Sequence, residues 1–322
     1  MMEKKKQTNF TLSGIFMVVV TGVICFSIFS MFNSYSRHLE LLSHFRMQYL
    51  FASILCLAGL LICKKIKTSA IILVIVILNV AHILPWYLKT DIPIAPATAI
   101  PLKIMLSNVH SSNQNYDRLL SLIKTESPDI FIAQEVNQRW ISKIASLEKE
   151  YHHKLLIPRE DNFGIALYSK LPLSKVKKEF YDSDVPSIYA RLKHDGHEFT
   201  LIATHPLPPI NKQYFDARNT QLNALATGIK SINEPIILIG DLNVTLWSGN
   251  YKTLETNSNL YNARKGFGII PTWPSHIPLM RIPIDHCLLS NEFSVTNIKT
   301  GPDIGSDHLP LIIEIKMNTL PN

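Results

Sequence analysis

Cysteine is scarce in this chain of 322 residues, which has four cysteines and no CxxC pair. Cys25, Cys56 and Cys63 lie in apolar stretches of the first third, and only Cys287 lies beyond them. A disulfide framework and a zinc finger are therefore excluded. Charged residues are also few, at 18%, but apolar residues reach 47%, so the composition is not that of a disordered chain.

The net charge of +7 is spread unevenly along the sequence. Acidic residues are nearly absent from residues 1–101, which hold 9 basic and 3 acidic residues. Residues 102–322 hold 23 basic and 22 acidic residues. The basic excess thus belongs to the first third, and the rest of the chain has no overall field that would attract a polyanion. The local basic runs that remain are typical of solvated surface. They are formed by Lys175, Lys177, Lys178, Arg264 and Lys265.

Three uncharged apolar stretches predict that residues 1–88 form a membrane anchor. Residues 9–32 and 68–88 are each long enough to cross a bilayer at about 1.5 Å per residue. Residues 50–63 are short and need flanking residues to span. A cleaved signal peptide is the alternative for the first stretch, but its apolar part exceeds the usual length of about 7–15 residues. We therefore expect about three transmembrane helices, the second being the weakest.

The lysines that flank these stretches predict an orientation. Lys4, Lys5 and Lys6 precede the first stretch, and three more lysines at positions 64, 65 and 67 separate the second from the third. Positive residues favour the cytoplasmic side, so three crossings place the rest of the chain in the periplasm or outside a bacterial inner membrane. Two crossings would leave it in the cytoplasm. Residues 89–101 hold three prolines and no helical period, which predicts an extended linker.

Residues 102–322 alternate β-rich runs with helical stretches, which predicts an α/β (α+β) domain. Eight β-rich runs, among them IFIAQEV and PIILIGDLN, accompany three helical stretches that begin near Tyr116, Arg139 and Asp216. Asp195 and Gly196 between two of the runs form a hairpin signal. Many strands with few helices favour two packed sheets with helices outside them.

Polar residues cluster where the predicted strands end. Oxygen ligands from Glu and Asn suit Mg²⁺ or Mn²⁺ rather than zinc. An Asp beside a His can position and deprotonate a water molecule, and a second His can protonate a leaving group. This set fits phosphodiester hydrolysis, whereas His286 is interpreted as a packed or exposed histidine without a catalytic role. The set comprises Asn108, Glu135, His205, Asp241, Asn243, Asp285, Asp307 and His308.

Six ordered motifs of the domain resemble the endonuclease/exonuclease/phosphatase family, which includes deoxyribonuclease I, exonuclease III and neutral sphingomyelinases. The likeness is nearest to a membrane-anchored bacterial branch. It implies a four-layer α/β sandwich in which helices flank two packed mixed sheets. The motifs are SNVH (107–110), QEV (134–136), ATH (203–205), GDLN (240–243), PIDH (283–286) and GSDH (305–308).

The resemblance also implies roles for the metal and the water. Glu135 resembles the principal ligand of Mg²⁺ or Mn²⁺, with Asn108 beside it, and Asp307 resembles a further carboxylate close to the metal. Asp241 resembles the residue that orients or activates the attacking water. Asn243 resembles the residue that holds the scissile phosphate.

The histidines receive roles from the same resemblance. His308 resembles the phosphate-contacting histidine that stabilises the transition state, and Asp285 resembles the carboxylate that orients it. His205 is a candidate general acid. Its acidic partner has no clear counterpart, and Glu160 and Asp161 are candidates. The tyrosine typical of abasic-site endonucleases has no counterpart, which disfavours that activity.

We therefore expect a membrane-anchored, divalent-metal-dependent phosphoesterase that contacts the bilayer through its N-terminal helices. Its substrate is either a nucleic acid or a phospholipid headgroup or other small phosphate. The apolar side chains of residues 271–283 suit either choice, since they can stack on bases or enter lipid. No protein partner is implied. The alternative outside this class is a catalytically silent binding protein on the same fold.

Overall fold

The computed structural model describes residues 11–88, 96 and 98–318. Lys4, Lys5, Lys6 and most of the predicted linker lie outside the described residues. The chain divides into two units, Met1–Ile83 and Leu84–Asn322.

The N-terminal unit consists of apolar helices. Thr11 caps the first helix, because its side chain accepts a hydrogen bond from the Gly14 N–H at 3.1 Å. Val20, Leu60 and Ile72 belong to a buried cluster that brings three of the helices together. The helices are α1 (Leu12–Phe29), α2 (Arg37–Ser43), α3 (Arg46–Ile62) and α4 (Ile66–Ile83), with a 3₁₀ turn at Ser30–Phe32.

Two helical segments of the described chain, Leu12–Phe32 and Ile66–Trp86, are each 21 residues long and apolar enough to cross a membrane. Helices α2 and α3 meet the same test only as a pair bent by 62°. The expected number of about three spans is therefore reached only if this pair counts as one. The bend follows from a break at residues 44 and 45, after which buried Arg46 donates to the Ser30 carbonyl at 3.2 Å.

The second unit begins with a 3₁₀ turn at Leu84–Trp86 and contains the strands of the described chain. The strands are β1 (Pro101–Asn108), β2 (Ile130–Gln134), β3 (His153–Ile157), β4 (Ile165–Ser169), β5 (Leu173–Glu179), β6 (Ser187–His194), β7 (His197–Ala203), β8 (Ile236–Asp241), β9 (Tyr261–Asn262), β10 (Asp285–Leu289), β11 (Phe293–Thr300) and β12 (Leu311–Met317). The helices are α5 (Tyr116–Glu126), α6 (Gln138–Lys143), α7 (Lys212–Ile229) and α8 (Gly249–Ser258), with 3₁₀ turns at Ala145–Lys149 and Pro278–Met280.

The strands form two six-stranded mixed sheets. The first has the order β11-β12-β1-β2-β4-β3, and the second has the order β5-β6-β7-β8-β10-β9. Strands β1 and β2 are parallel, as are β7 and β8, and the remaining neighbours are antiparallel. With helices on the outer faces, this is the expected α/β sandwich, and the predicted fold class is confirmed.

Alternation along β1 shows how the layers pack. Leu102, Ile104 and Leu106 face the second sheet and join a cluster with buried residues of β6, β7, β8 and β10. Met105 points the other way, into a second cluster with residues of α5 and α6 such as Leu119 and Trp140. The strand is therefore buried on both faces, which explains its nearly continuous apolar sequence.

The predicted hairpin at Asp195–Gly196 is confirmed. It joins β6 to β7, with His194 opposite His197, and its two turn residues have φ of 50° and 81°. Strands β3, β5, β9 and β11 and helix α8 were not predicted. Strand β5 shows the reason, since it lies at a sheet edge with mostly exposed side chains and so lacks an apolar pattern. The third predicted helical stretch is α7, whereas the second is α6 followed by a 3₁₀ turn.

Gly164 precedes β4 where two backbone segments pass too closely for a side chain. A Cβ there would lie 1.8 Å from the Val136 carbonyl oxygen, which accepts the Arg159 N–H at 3.1 Å. Gly164→Ala is therefore expected to lower the free energy of unfolding by about 3 kcal/mol, the scale of overpacking. Thermal or urea unfolding of the purified full-length chain measures this.

Gly196→Ala is the matched control for Gly164→Ala. A Cβ at Gly196 meets nothing within 4 Å, so its cost is only that of the positive φ, about 1 kcal/mol. Equal losses in the two variants would contradict the steric argument.

Candidate active site

The polar residues predicted from the sequence meet at one edge of the two sheets. Asn108 ends β1 and Glu135 directly follows β2, while Asp241 ends β8. Asp285 begins the antiparallel strand β10 and pairs in register with Asp241. Parallel strands end at the same edge and an antiparallel neighbour begins there, so the topology itself gathers these side chains.

A buried glutamine joins the two sheets at this edge. Gln134 Nε2 donates to the Thr204 carbonyl at 2.7 Å, and Gln134 Oε1 accepts from the Asp241 N–H at 2.9 Å. The side chain is fully buried, as polar groups that have hydrogen-bond partners can be. Its amide N–H and its amide oxygen each bond a backbone group of the other sheet. The sequence motif QEV contains Gln134, but no role for this residue was predicted from it. The feature of the sequence that could have indicated this role is an amide side chain at the end of an otherwise apolar strand.

His308 lies between two buried carboxylates. Its Nδ1 donates to Asp285 Oδ2 at 2.8 Å, and its Nε2 is 3.6 Å from Asp241 Oδ2. Burial alone would lower the pKa of His308, but Asp285 and Asp241 outweigh it and raise the pKa to about 10. His308 is therefore an imidazolium at neutral pH. Asp285, in turn, has a lowered pKa: burial raises it, but His308 outweighs this.

Asp241 has a different protonation behaviour from Asp285. Burial raises the pKa of Asp241 to about 6, although His308 and His205 oppose the shift. Its Oδ1 accepts the Asn243 N–H at 2.9 Å, which fixes the carboxylate. A carboxylate with this pKa is ionised at neutral pH and can accept a proton, as a general base must.

His205 approaches the same carboxylates from the second sheet. Its Nδ1 lies 3.7 Å from Asp241 Oδ2 and 3.2 Å from the Asp241 carbonyl oxygen, and its Nε2 lies 3.8 Å from Glu135 Oε1. Glu160 and Asp161 were the candidates for its acidic partner, but the carboxylates beside His205 are those of Glu135 and Asp241. Asp161 pairs with Arg159, and Glu160 accepts the Gln138 N–H. The proximity of Glu135 and Asp241 comes from the strand topology and was invisible in sequence.

Two residues of this edge have left-handed backbone. Glu135 has φ of 59° and Asn243 has φ of 52°. Asn adopts this region readily, whereas Glu does so at a cost of roughly 1–2 kcal/mol. Buried Arg218 donates to the Asn243 carbonyl at 2.7 Å, and Asn243 Nδ2 donates to the Pro206 carbonyl at 2.9 Å. These bonds hold the turn after β8, and Arg218 was not predicted.

The expected metal ligands form two groups. Asn108 Nδ2 donates to Glu135 Oε1 at 2.9 Å, and the second oxygen of Glu135 has no hydrogen-bond partner among the described residues. Asp307 Oδ2 accepts from the Trp273 indole at 3.0 Å, while its Oδ1 has no hydrogen-bond partner there and lies 3.6 Å from His110 Nδ1. Two open carboxylate oxygens fit a hard divalent cation. Within the described chain, no hydrogen bond or ion pair joins Asp307 to Glu135.

Another set of three side chains lies close enough to hold an ion. Atoms of Asp241, Asp285 and His308 all fall within 4.8 Å of one another. The ring nitrogens of an imidazolium have no lone pair for a metal, however, and His308 is held as an imidazolium by these same carboxylates. We therefore interpret the three residues as an ion-paired group.

His286 is a packed histidine rather than an exposed one. Burial lowers its pKa to about 3, and its ring stacks on Tyr251 at 4.8 Å. Its Nε2 donates to the Val244 carbonyl at 2.7 Å. The interpretation of Arg264 as solvated surface is wrong, because this side chain is fully buried and donates to the Asp285 carbonyl at 2.6 Å. Its charge helps to keep Asp285 ionised.

The two-sheet sandwich and its edge of carboxylates, amides and histidines define a protein of the deoxyribonuclease I-like class. Residues 105–308 match the model of the Endonuclease/Exonuclease/phosphatase family, and the chain belongs to this family. Members of this family are hydrolases of phosphoester bonds and generally use divalent metals. No curated protein matches the chain.

Solved structures share the fold at low sequence identity. A family protein from Bacteroides thetaiotaomicron is 18% identical with a TM-score of 0.58, covering 69% of this chain and 99% of its own. The human Nocturnin catalytic domain with bound sulfate anion is 20% identical with a TM-score of 0.57. The match covers 69% of this chain and 97% of that domain. D. rerio TDP2 complexed with single strand DNA product is 15% identical with a TM-score of 0.56. The match covers 67% of this chain and 99% of the TDP2 chain.

Asp285→Asn tests the charge arrangement around His308. Removing the carboxylate charge is expected to lower the pKa of His308 by about 1–3 units, the usual effect of a close opposite charge. The ring then loses its proton at a lower pH than in the wild type. NMR titration of the full-length protein with ¹³C-labelled histidine measures the shift.

Asp117→Asn is the control, since Asp117 is exposed on α5. A wild-type His308 that titrates below pH 7 would show that the ring is not held as an imidazolium.

Proposed function

We propose that this protein is a membrane-anchored, divalent-metal-dependent phosphodiesterase that hydrolyses its substrate by attack of an activated water. The observation that carries the proposal is the buried His308 ring between two carboxylates, with Nδ1 bonded to Asp285 Oδ2 at 2.8 Å and Nε2 3.6 Å from Asp241 Oδ2. A fixed positive charge beside an ionised carboxylate suits a reaction in which a water loses a proton and negative charge grows on phosphate oxygens.

Asp241 is the proposed base. Its buried carboxylate, with a pKa raised to about 6, is held by the Asn243 N–H and so points in one direction. A base of this pKa is ionised at neutral pH yet accepts a proton more readily than an ordinary aspartate. We assign to Asp241 the orientation and deprotonation of the attacking water.

His308 is the proposed stabiliser of the transition state. Its Nδ1–H is used by Asp285, which leaves the Nε2–H to contact a non-bridging phosphate oxygen. Asp285 therefore acts through His308, by fixing the ring and its charge. Asn243 has a second amide hydrogen beyond the one bonded to Pro206, and we assign to it a contact with the scissile phosphate.

His205 is the proposed general acid. Its Nε2 faces Glu135 Oε1 at 3.8 Å rather than forming a close hydrogen bond, so this nitrogen can donate to a leaving group. Its Nδ1 is oriented by the Asp241 carbonyl at 3.2 Å. We assign to His205 the protonation of the departing oxygen.

Glu135 with Asn108 and Asp307 would hold the divalent cation, Mg²⁺ or Mn²⁺. The donor atoms are oxygens, as such ions require, and Glu135 and Asp307 each have a carboxylate oxygen without a hydrogen bond, that of Asp307 lying 3.6 Å from His110 Nδ1. When bound, such an ion supplies positive charge to the phosphoryl group. Asn108 Oδ1 accepts the His110 N–H at 3.1 Å and retains a second lone pair for a ligand.

Hydrolysis of bis-p-nitrophenyl phosphate by the full-length protein in detergent tests the proposal. Wild type is expected to be active with Mg²⁺ or Mn²⁺ and inactive after chelation. Asp241→Asn and His308→Gln are each expected to lower kcat/KM by about 10²-fold or more, the scale of one positioned catalytic group.

The control for these two variants is Glu198→Gln, which changes an exposed side chain of β7 and is expected to retain wild-type activity. A wild type no faster than Asp241→Asn across several metals would refute catalysis and favour a binding protein on the same fold.

We also propose that residues 1–88 anchor the protein in a bacterial inner membrane and that residues 102–322 form the catalytic domain on its outer side. Support comes from two long apolar helices, the bent helix pair and the lysines at positions 64, 65 and 67. The proposed side depends on the bent pair, because it supplies the third crossing.

Two reporters fused after Asn322 test this topology. Alkaline phosphatase, which needs an oxidising compartment, is expected to be active, and green fluorescent protein, which folds in the cytoplasm, is expected to be dark. The reverse pattern would place the catalytic domain in the cytoplasm and leave two crossings.

A further inference from the structure

One arginine is buried inside the N-terminal helix unit. Arg46, the first residue of α3, has only 1% of its surface exposed. Its Nη2 donates to the Ser30 carbonyl at 3.2 Å, whereas its Nε and Nη1 are buried and have no hydrogen-bond partner among the described residues. Those two nitrogens carry three of the five N–H donors of a guanidinium group. Most of the hydrogen-bonding capacity of this side chain is therefore unused.

The positive charge of Arg46 has no counterion in the described part of the unit. Glu40 is the one acidic residue among residues 11–83. It is buried as well, but its Oε1 lies 3.9 Å from His44 Nε2, and no ion pair joins it to Arg46. A buried charge without a partner is strongly destabilising. The surroundings of Arg46 therefore call for an anion that is not part of these helices.

Hydrogen bonds fix the place where the guanidinium group lies. Ser30 Oγ donates to the Ser27 carbonyl at 2.7 Å, and Asn79 Nδ2 donates to Ser27 Oγ at 3.2 Å. These three side chains are fully buried. The bonds join α1 and α4 to the turn that accepts from Arg46. The guanidinium donors are thus held in one place, which lowers the entropy cost of binding a ligand.

The position of Arg46 along the apolar segments points to a lipid phosphate. The segment Leu12–Phe32 has 21 residues, about the number needed to cross the hydrocarbon core of a bilayer. Ser30, which accepts from Arg46, is near the end of this segment and so lies close to the headgroup layer. Tyr35, just beyond the end, is exposed, as aromatic residues of that layer commonly are. Phosphate groups are the anions of this layer, and arginine binds phosphate through paired N–H donors.

We propose that Arg46 binds a phosphate anion, namely that of an anionic phospholipid whose headgroup reaches the junction of α1 and α3. The proposal rests on the proposed membrane anchor and goes beyond the phosphodiesterase function, because Arg46 does not belong to the unit that contains the catalytic edge. A headgroup with a net negative charge neutralises the guanidinium group. A zwitterionic headgroup brings a second cation with its phosphate and is expected to bind more weakly.

Native mass spectrometry of the full-length protein in detergent tests the proposal. The protein is titrated with dioctanoyl phosphatidylglycerol, dioctanoyl phosphatidylcholine or inorganic phosphate, in EDTA so that no headgroup is hydrolysed. Wild type is expected to bind one phosphatidylglycerol in preference to phosphatidylcholine. Inorganic phosphate that competes with phosphatidylglycerol at equal concentration would overturn the assignment of the anion to a lipid.

Arg46→Gln removes the charge. It is expected to bind phosphatidylglycerol about tenfold more weakly and to lose the preference over phosphatidylcholine, the scale of a charge-assisted contact. Arg46→Lys retains the charge but not the planar fork of donors, so it is expected to keep the preference at an intermediate affinity. Unchanged affinity in Arg46→Gln would show that the lipid binds elsewhere and would overturn the proposal.

The matched control is Arg37→Gln, which removes the charge of a partly exposed arginine of α2. It is expected to leave the affinity for phosphatidylglycerol within about twofold of wild type. An equal loss in Arg37→Gln and Arg46→Gln would show that any positive charge near the headgroup layer suffices, and would contradict a built site at Arg46.

The site and the proposed function fail in different ways. Arg46→Gln is expected to hydrolyse bis-p-nitrophenyl phosphate as fast as wild type, so a loss of lipid binding with retained activity assigns the effect to the helix unit. Wild type recovered in the soluble fraction of cells lysed without detergent contradicts the membrane anchor and the lipid site together. Membrane-bound wild type without preference for phosphatidylglycerol contradicts the lipid site alone.

Discussion

The active-site edge depends on one buried side chain, that of Gln134. The two sheets meet mainly through apolar residues, whose packing is strong but not directional. Gln134 adds direction, because its amide bonds the Thr204 carbonyl and the Asp241 N–H in the opposite sheet. Losing either bond would leave a buried polar group unpaired, at a cost of about 1–3 kcal/mol. Glu135, the next residue, is thereby held opposite Asp241.

The charge of His308 lies between two carboxylates and favours the ionised form of both. Asp241, Asp285 and His308 are all nearly fully buried, and none would remain ionised there alone. The His308 ring lies between the two carboxylates, and Arg264 donates a hydrogen bond to the Asp285 carbonyl oxygen. The two aspartates nevertheless differ, because only Asp285 bonds His308 closely. One carboxylate thus fixes a ring, while the other is available to accept a proton.

The distribution of charge over the whole chain bears on its partners. The basic excess lies in the first third of the chain, beside its apolar stretches, and residues 102–322 are almost neutral. Beside the site the local charge is negative. A surface of this kind provides none of the cationic contact with backbone phosphates on which nucleic-acid affinity largely depends.

Local patterns in the sequence determined the alternating strands and helices, the hairpin at Asp195–Gly196 and the polar residues at strand ends. These features follow from side-chain periodicity and turn preference, which act between near neighbours. The tertiary structure decided which of these residues meet. It buried Arg264, separated the packed His286 from the ion-paired His308, and placed Glu135 and Asp241 rather than Glu160 or Asp161 beside His205. Those outcomes depend on strand order and on burial, which residues distant in the chain create together.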